Sequence, residues 1–342
     1  MLILLLAAAA ASTPAPGPVK TFGDWEVGCD NAGLCTAVSL TPQSPAPGAP
    51  YVPVVVSVGP GPNPTMSVQY AVRSLPVGAV TVLIQGEPVI QPTVSSGSLY
   101  VNDASATSVL VPMTLAQTPV VLKNAGGAVI GQVSVTGVSA MLRYIDSAQN
   151  RAGTTSAFVA TGPATMAPIA PVVIPNITQS PLNPIGMGSP AASVVAGLRA
   201  SGCGDPVPAG TPAATSYALD GSYSLMLVPC GIEPLVPPIT GSNMKFLAFV
   251  DNGSGPQPAN FDVQPGWAYN PAFTFLENAS YDSSTGVLSD NAHAAAGDKC
   301  GVDHKYVWDG HMFRLFQMDQ LNDCQGAAQR IPVWTASINS GQ

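Results

Sequence analysis

The sequence predicts a mainly β protein that is built as two antiparallel β-rich domains, each stabilised internally by disulfides. Three observations support this. Glycine and proline number 34 and 35 of 342 residues, which favours short strands joined by turns over long helices. Segments rich in Val, Thr and Ile recur between those turns. Charged residues are only 9% of the chain and hydrophobic residues 46%, so the chain can bury a core and is not expected to be disordered.

The six cysteines supply the predicted disulfides. They fall as three pairs that are close in sequence: Cys29 with Cys35, Cys203 with Cys230, and Cys300 with Cys324. An even number in an exported chain predicts disulfides, although six cysteines allow many connectivities and neighbour pairing is only the simplest. Metal binding is the alternative. No CxxC pair exists and no Cys/His cluster has zinc-site spacing, so we expect no metal site.

The N-terminus predicts export. Residues 1–11 form an apolar run with the length of a signal-peptide core, and Ala9 and Ala11 fit an A-x-A cleavage site. No Lys or Arg precedes the run, so a misassigned start or a buried strand are alternatives. No later stretch is long and apolar enough to span a bilayer. We therefore expect a periplasmic or secreted protein whose signal peptide is cleaved.

The net charge of −8 is unevenly distributed. Residues 31–200 contain three acids and five bases, whereas residues 201–342 contain 13 acids and five bases, which gives the second part −8 by itself. This asymmetry predicts a boundary near residue 200. It also argues against nucleic-acid binding, which requires a basic face.

Strand patterns occur on both sides of that boundary. In the first part, Trp25 and Val27 alternate with polar residues, and five further candidates lie at residues 52–58, 65–72, 79–85, 98–101 and 129–135. In the second part, hairpin-forming strands are predicted at residues 223–228, 245–250, 305–308, 312–316 and 331–338. Asp309-Gly310 between two apolar runs is a strong hairpin signal.

Two short helices are expected. Residues 139–149 place Met141, Leu142, Ile145 and Ala148 on one apolar stripe, which predicts a helix that lies on a sheet. Residues 191–200 predict a second helix that ends at Gly202. Residues 108–116 fit either a strand or a short helix.

These patterns predict four segments. Residues 1–19 are a signal peptide followed by a Pro/Ala-rich spacer, and residues 20–162 are an N-terminal domain resembling a β-sandwich. Residues 163–190 contain seven prolines and no charge, which is typical of a semi-extended linker. Residues 191–342 form an acidic, hairpin-rich C-terminal domain.

Three separated motifs resemble a known family. Residues 21–31 with Cys35 resemble the start of the invasion-associated locus B proteins. Residues 137–154 resemble the proteobacterial periplasmic family filed as domain of unknown function 1176. The same likeness extends through the tail at residues 297–301, 308–315, Cys324 and 332–334. The resemblance implies a periplasmic, β-rich protein, and it implies no reaction because that family has none established.

Candidate chemistry is concentrated near the C-terminus. The three histidines, His293, His304 and His311, lie close in sequence to four aspartates: Asp290, Asp298, Asp303 and Asp309. Such a group can act as an acid–base or metal site, but the spacing matches no ligand motif. The simpler interpretation is that these residues lie in exposed turns.

Two other places are candidates for binding. Asp146, Gln149 and Arg151 lie at the end of the first predicted helix, where they either fasten that end to the next strand or form a patch that faces a partner. Trp267, in a Pro-Gly-Trp turn, is either a core anchor or a platform that stacks on a sugar.

No catalytic signature accompanies these candidates. The sequence has no G-x-S-x-G elbow, P-loop or dinucleotide fingerprint, so we expect no cofactor. The leading hypothesis is a non-catalytic binding protein of the bacterial envelope whose partner is an envelope protein or a glycan. The alternatives are a hydrolase-like enzyme that acts on an envelope glycan or peptide, and a structural or stress-protective envelope protein.

Overall fold

The computed structural model of the protein describes residues 14–42, 49–72, 74–75, 77–168, 172–183, 190–203, 207, 209–211, 214–234, 242–266, 275–293 and 299–341. The predicted signal peptide and the candidates Trp267 and Asp298 lie outside these residues. In the part of the chain that is described, no helix is long and apolar enough to cross a membrane.

The first half forms two antiparallel sheets and two helices. Its elements are β1 (Lys20–Phe22), β2 (Trp25–Cys29), β3 (Cys35–Ser39), β4 (Val54–Val58), β5 (Met66–Tyr70), β6 (Thr81–Ile84), β7 (Glu87–Ile90), β8 (Thr93–Ser95), β9 (Ser98–Asn102), α1 (Asp103–Met113), β10 (Val120–Lys123), β11 (Val129–Val133) and α2 (Val138–Ala148). Seven strands pair in the order β1-β2-β3-β4-β5-β9-β8 and four in the order β11-β10-β6-β7. The alternating apolar residues of both sheets meet the helices in one core.

Helix α2 confirms the predicted apolar stripe except at Ala148, which is exposed. Met141, Leu142 and Ile145 are fully buried in the first core, and the Tyr144 ring contacts Phe22 at 5.8 Å between centroids. Helix α1 decides the ambiguous segment in favour of a helix. Its side chains at Ala106, Val109, Leu110 and Met113 are buried, and these spacings of three and four are helical.

The second half contains β12 (Asn176–Gln179), α3 (Ala192–Gly202), β13 (Thr215–Ala218), β14 (Ser224–Pro234), β15 (Ser242–Asp251), β16 (Gln257–Pro258), β17 (Phe275–Glu277), β18 (Ser280–Asp282), β19 (Val287–His293), β20 (Gly301–Trp308), β21 (Phe313–Leu321), β22 (Ile331–Thr335) and β23 (Ser337–Ser340). Strands β13-β14-β15-β16 form one antiparallel sheet, with β17 also paired to β15. Strands β18-β19-β20-β21-β22 form the second antiparallel sheet, in simple sequence order.

Two sequence predictions within this half have clear outcomes. The hairpin at Asp309-Gly310 is confirmed, since this turn joins β20 to β21 and Gly310 has a φ of 96°, which favours glycine. The segment predicted as a linker contains strand β12. This strand pairs in parallel with β23, so part of that segment is fixed to the C-terminal end of the chain.

The two halves also share a small apolar cluster. Val38 and Val55 from the first half pack with Leu321, Ile331 and Val333 from the second. The domain boundary at the Pro-rich segment stays a prediction. The cluster shows that the proposed domains are in contact across β3, β4 and β22.

All six cysteines are paired, and the pairs are the sequence-local ones. Cys29–Cys35 closes the β2–β3 hairpin, Cys203–Cys230 ties the end of α3 to β14, and Cys300–Cys324 ties the start of β20 to the segment after β21. No free cysteine remains. A thiolate is therefore not available as a metal ligand or nucleophile in the oxidised protein.

Candidate functional site

Most of the polar candidates from the C-terminal part of the sequence lie in or beside the sheet formed by strands β18–β22. They are divided between the two faces of that sheet. Asp303 and His304 are neighbours in β20, and neighbouring side chains of a strand point to opposite faces. His304 and Asp303 therefore do not share one pocket, and the interpretation that they lie in exposed turns is wrong, because both lie within β20 and His304 is buried. Each residue has a separate environment.

His304 forms a buried pair with Asp290. Its Nδ1 donates to the carboxylate of Asp290, directly opposite in β19, over 2.9 Å, and the two residues are 2% and 0% exposed. The same carboxylate accepts the backbone N–H of Gly266 at 2.6 Å and of Glu277 at 2.5 Å. The His304 ring stacks on Tyr306. This buried pair joins four chain segments: β19, β20, β17 and the segment that contains Gly266.

The opposite face of the same strands forms an open polar cleft of about 270 Å³, which we call the Arg330 cleft. Its polar lining residues are Lys299, Asp303, Gln317, Asp319, Gln329 and Arg330. The cleft follows from the strand register, because Asp303 lies directly opposite Asn291 on one side and Asp319 on the other. Arg330 immediately precedes β22 and reaches back over the sheet.

Two carboxylates face each other in this cleft. Like charges directly opposite on neighbouring strands are destabilising, so the Asp303–Asp319 arrangement does not serve stability. Asp319 Oδ2 accepts the side-chain amide of Gln317 at 2.7 Å, and Gln317 Oε1 accepts Lys305 Nζ at 3.2 Å. Lys305 thus fixes the side chain of Gln317, which in turn holds Asp319 in place.

Hydrogen bonding in the cleft is incomplete. Arg330 Nη2 donates to Asn291 Oδ1 at 3.1 Å and contacts His293 Nδ1 at 3.3 Å, but its buried Nε has no partner among the described residues. The buried Oδ1 of Asp319 has none either. Both atoms have almost no accessible surface, so they are enclosed in the wall of the cleft and a molecule in its opening does not reach them.

Three other buried polar atoms also lack a partner among the described residues: Tyr70 Oη, Gln149 Oε1 and Arg151 Nη1. These atoms belong to the first half of the chain, and none of their residues lines the Arg330 cleft. Tyr70, Gln149 and Arg151 are 1%, 4% and 0% exposed, so solvent does not reach them. Asp319 Oδ1 and Arg330 Nε are as inaccessible as these three atoms, and what distinguishes Asp319 and Arg330 is that other parts of their side chains line the cleft.

Burial sets the electrostatics of the cleft. It raises the pKa of Asp303, against the smaller lowering effects of Arg330 and Lys305. It also raises the pKa of Asp319, against the hydrogen bond from Gln317. Burial and the charge of Arg330 lower the pKa of His293 below its usual 6.5, so near pH 7 this ring is neutral and can accept from Arg330. The charged groups of the cleft are therefore partly removed from water, which lowers the stability of the folded protein.

This cost is testable with Asp303→Asn. The variant is expected to stabilise the protein at pH 7 by roughly 0.5–1 kcal/mol, because it removes a cross-strand carboxylate whose charged form is disfavoured by burial. When folding raises the pKa of a carboxyl, the protein becomes less stable as the pH rises from the ordinary pKa of that group to the raised one. The gain should therefore shrink on acidification and vanish below about pH 4, as urea unfolding at several pH values would show.

Asp282→Asn is the matched control. Asp282 is an exposed turn residue whose pKa is lowered by hydrogen bonds from Ser284, so its neutralisation should not stabilise the protein. A loss of stability in Asp303→Asn at pH 7 would show that this carboxylate supports the fold.

A larger cavity of about 500 Å³ contains the candidate Asp309. Asp309 accepts the backbone N–H of His311 and Met312 at 2.8 Å each and binds Arg314 Nε at 2.6 Å. Arg314 also lies 4.0 Å from Asp262, whose other oxygen accepts the Leu315 N–H at 2.9 Å. The charged groups of this cavity are therefore engaged with one another and with backbone N–H groups. His311 is exposed on that turn, as the simpler interpretation of the sequence expected.

The candidates Asp146, Gln149 and Arg151 lie inside the protein and are 0%, 4% and 0% exposed. Asp146 accepts three consecutive backbone N–H groups, from residues 158–160, at 2.9 to 3.0 Å. Gln149 and Arg151 both donate to the carbonyl of Gly59, at 3.1 and 2.7 Å. This placement favours the fastening role over the partner-facing patch.

Sequence reasoning missed Asp319, Arg330, Gln317 and Lys299, and it missed the pairing of His304 with Asp290. A partial signal existed, because the predicted Asp309-Gly310 hairpin brings the acids of β20 near those of β21. Within the described residues, no group of three His, Cys, Asp or Glu side chains is placed to hold a metal ion.

Fold and site together define a mainly β, disulfide-bonded protein with an open, incompletely hydrogen-bonded cleft on one sheet. The chain belongs to the family described as "Protein of unknown function (DUF1176)", whose profile matches residues 19–338. The family resemblance drawn from the sequence motifs is thereby confirmed.

One solved structure is similar to part of the chain. It is the crystal structure of invasion associated protein B from Bartonella henselae, at 14% identity and a TM-score of 0.30. The match covers 39% of this chain and 99% of that one. No curated protein matches the chain.

Proposed function

We propose that the protein is an exported, non-catalytic binding protein of the bacterial envelope, and that the Arg330 cleft is its binding site. The observation that carries the proposal is a cleft open to solvent in which Asp303 and Asp319 face each other on neighbouring strands beside Arg330. A like-charge pair that costs stability, kept in an open cleft, is typical of a site selected for binding rather than for stability.

Export is supported by two independent features. Residues 1–11 have the pattern of a signal peptide, and all six cysteines are oxidised. Structural disulfides persist in oxidising compartments such as the periplasm and are rare in the cytosol. The resemblance drawn from the sequence motifs implies the same compartment.

The non-catalytic interpretation rests on what the cleft contains. Its lining residues are carboxylates, amides, Lys, Arg, Ala and Pro, without a hydroxyl or thiol nucleophile among the described ones. The buried His304–Asp290 pair faces away from it. Binding requires no more than the donors and acceptors that are present.

The carboxylate pair favours one second candidate, a glycoside hydrolase. Such enzymes use two carboxyl groups that flank the bond to be cleaved, one of them with a raised pKa. Asp303 and Asp319 face each other on neighbouring strands, and burial raises the pKa of both. The two carboxyl roles in a glycosidase need environments that push the two pKa values apart, so binding is the better-supported function.

The test is a photo-crosslink in the cell. A photoreactive residue is placed at Gln329, an exposed position on the rim of the Arg330 cleft, and in a matched strain at Ser147, an exposed position on α2. We expect one dominant envelope macromolecule to be captured from Gln329 and not from Ser147, and the mature protein to lack residues 1–11 by mass. An unprocessed protein with reduced cysteines, or equal capture from both positions, would contradict the proposal.

A further inference from the structure

Strands β12 and β23 form a two-stranded parallel sheet, which we call the β12–β23 ribbon. We propose that the outer edge of β12 binds an extended, basic polypeptide segment of a partner protein, which joins the ribbon as a further strand. This site is separate from the Arg330 cleft, so the inference goes beyond the function proposed above. It follows from the unpaired edge of β12, the exposed apolar residues before it, and the charge of the cavity beside it.

One edge of β12 presents accessible backbone groups. The N–H of Ser337 donates to the carbonyl of Pro175 at 2.8 Å, so Pro175 directs its backbone groups towards β23. Successive residues of a strand direct these groups to opposite edges, so Asn176 and Thr178 direct theirs away from β23. Both residues are exposed, and their N–H and C=O groups have no partner in the part of the chain that is described. Such a row of unpaired groups is a template for another strand.

This edge lacks the features by which proteins usually block strand addition. Charged residues and prolines on the open edge are common ones. Residues 172–180 contain no charge, whereas the edge strands β7 and β18 contain Glu87 and Asp282. Pro175 lacks an N–H only on the side that faces β23, so the open edge keeps its donors. Proline also restricts the preceding Ile174 to an extended conformation, which suits strand pairing.

The segment that leads into β12 exposes three consecutive apolar side chains. Val172, Val173 and Ile174 are 41%, 87% and 42% exposed. Single apolar residues are ordinary on a protein surface, but a contiguous group beside an unpaired strand edge is typical of an interaction site. A strand that pairs with Asn176 and Thr178 would continue along these residues and cover them. The occupant is therefore a polypeptide, because it must offer both backbone groups and apolar side chains.

The cavity of about 500 Å³ beside β12 favours a basic occupant. Asn176 and Thr178 line this cavity together with Asp262, Asp309 and Arg314. Two carboxylates against one guanidinium give its described lining a net charge of −1. The side chains of Asp309 and Arg314 are 15% and 29% exposed, so an entering group reaches them. A lysine or arginine of the added strand is attracted here, and an acidic residue is repelled.

The other end of the site is closed. Ser180, two positions after Thr178, also faces away from β23, and its N–H donates to the carbonyl of Trp308 at 2.9 Å. The end of β20 therefore occupies the edge beyond Thr178. The added strand is limited to residues 172–178, which is close to the usual length of a strand.

The experiment is a titration of the mature protein with synthetic peptides. The probe is a peptide of about nine residues that alternates valine with lysine and threonine, long enough to form one strand. One matched peptide has glutamate in place of lysine, and another has the same side chains on N-methylated amides. We expect the lysine peptide to bind, the glutamate peptide to bind at least about 10-fold more weakly, and the N-methylated peptide about 10- to 100-fold more weakly, because it loses its backbone donors.

Amide hydrogen exchange identifies the edge that binds. The lysine peptide should slow exchange at the N–H groups of Asn176 and Thr178. Exchange at Ile177 and Gln179, which face β23, should not change. A contact made through side chains alone would not give this alternation.

Thr178→Pro removes one donor from the open edge and should weaken binding of the lysine peptide about 10-fold. Ser340→Pro is the matched control. Ser340 is an exposed residue of β23 whose N–H faces away from β12, so this variant should bind as the parent does. Thr178→Lys keeps the test decisive if Thr178→Pro fails to fold, because a lysine on the open edge repels a basic strand.

Other outcomes overturn the inference in distinguishable ways. A dimer that forms with rising concentration and protects Asn176 and Thr178 without peptide would show that a second copy occupies the edge. Equal binding of the lysine and glutamate peptides would contradict a basic partner. No binding, or binding without alternating protection, would contradict strand addition. Capture from Gln329 in the cell does not depend on this edge, so the function proposed for the Arg330 cleft stands or fails separately.

Discussion

Replacing Asp146 with alanine is expected to cost about 3 to 5 kcal/mol of unfolding free energy, the loss typical of leaving several buried polar groups without a partner. The carboxylate is fully buried at the end of α2 and accepts the N–H groups of Phe158, Val159 and Ala160. In Asp146→Ala these three donors, which lie in a partly buried segment, lose the acceptor that holds them to the end of α2. Urea unfolding followed by tryptophan fluorescence would measure the loss.

Two comparisons make that result specific. Ser147→Ala changes the exposed neighbour on the same helix and should alter the free energy of unfolding by less than about 0.5 kcal/mol. Asp146→Asn keeps one acceptor oxygen and should fall between the two. A stable Asp146→Ala that no longer captures its partner in the cell would instead support a partner-facing role for Asp146.

The parts of the structure that depend on local sequence could be predicted. The three disulfides join neighbours in the sequence, and Asp309-Gly310 determines its own hairpin because the required turn dihedrals are local. The α2 stripe is equally local, since residues three and four apart share a face of a helix. In each case the signal lies within a few residues or in one simple pairing.

The Arg330 cleft could not be predicted, because it depends on a change of register. From the turn at Asp309-Gly310, Trp308 pairs with Phe313, and an unbroken ladder would place Asp303 opposite Met318. An irregularity between Lys305 and Tyr306 shifts the pairing by one residue, so that Asp303 faces Asp319. A shift of one residue moves every following side chain of a strand to the other face. Nothing in the local sequence specifies this bulge.

The partner of His304 likewise depends on strand register and could not be predicted from closeness in sequence. His304 pairs with Asp290, 14 residues away, because β19 and β20 place them opposite each other. Closeness in sequence offered four aspartates, Asp290, Asp298, Asp303 and Asp309, without choosing among them, and Asp303 points to the other face of the sheet. Contacts across strands follow register, and sequence proximity is a poor guide to them.

Asp290→Ala is expected to be as damaging as the loss of Asp146, at about 3 to 5 kcal/mol, because it breaks a buried hydrogen-bonded pair and leaves two backbone donors unsatisfied. The His304 ring would lose its acceptor while it stays enclosed. His311→Ala, at the exposed turn of the same sheet, is the control and should stay within about 0.5 kcal/mol of the parent. Thermal and urea unfolding would measure both.

If Asp290→Ala keeps the parent stability and loses a measurable turnover of an envelope glycan or peptide, the pair is catalytic and the protein is an enzyme rather than a binding protein. If it loses stability as expected, His304 and Asp290 are part of the framework that supports the β20 side of the Arg330 cleft.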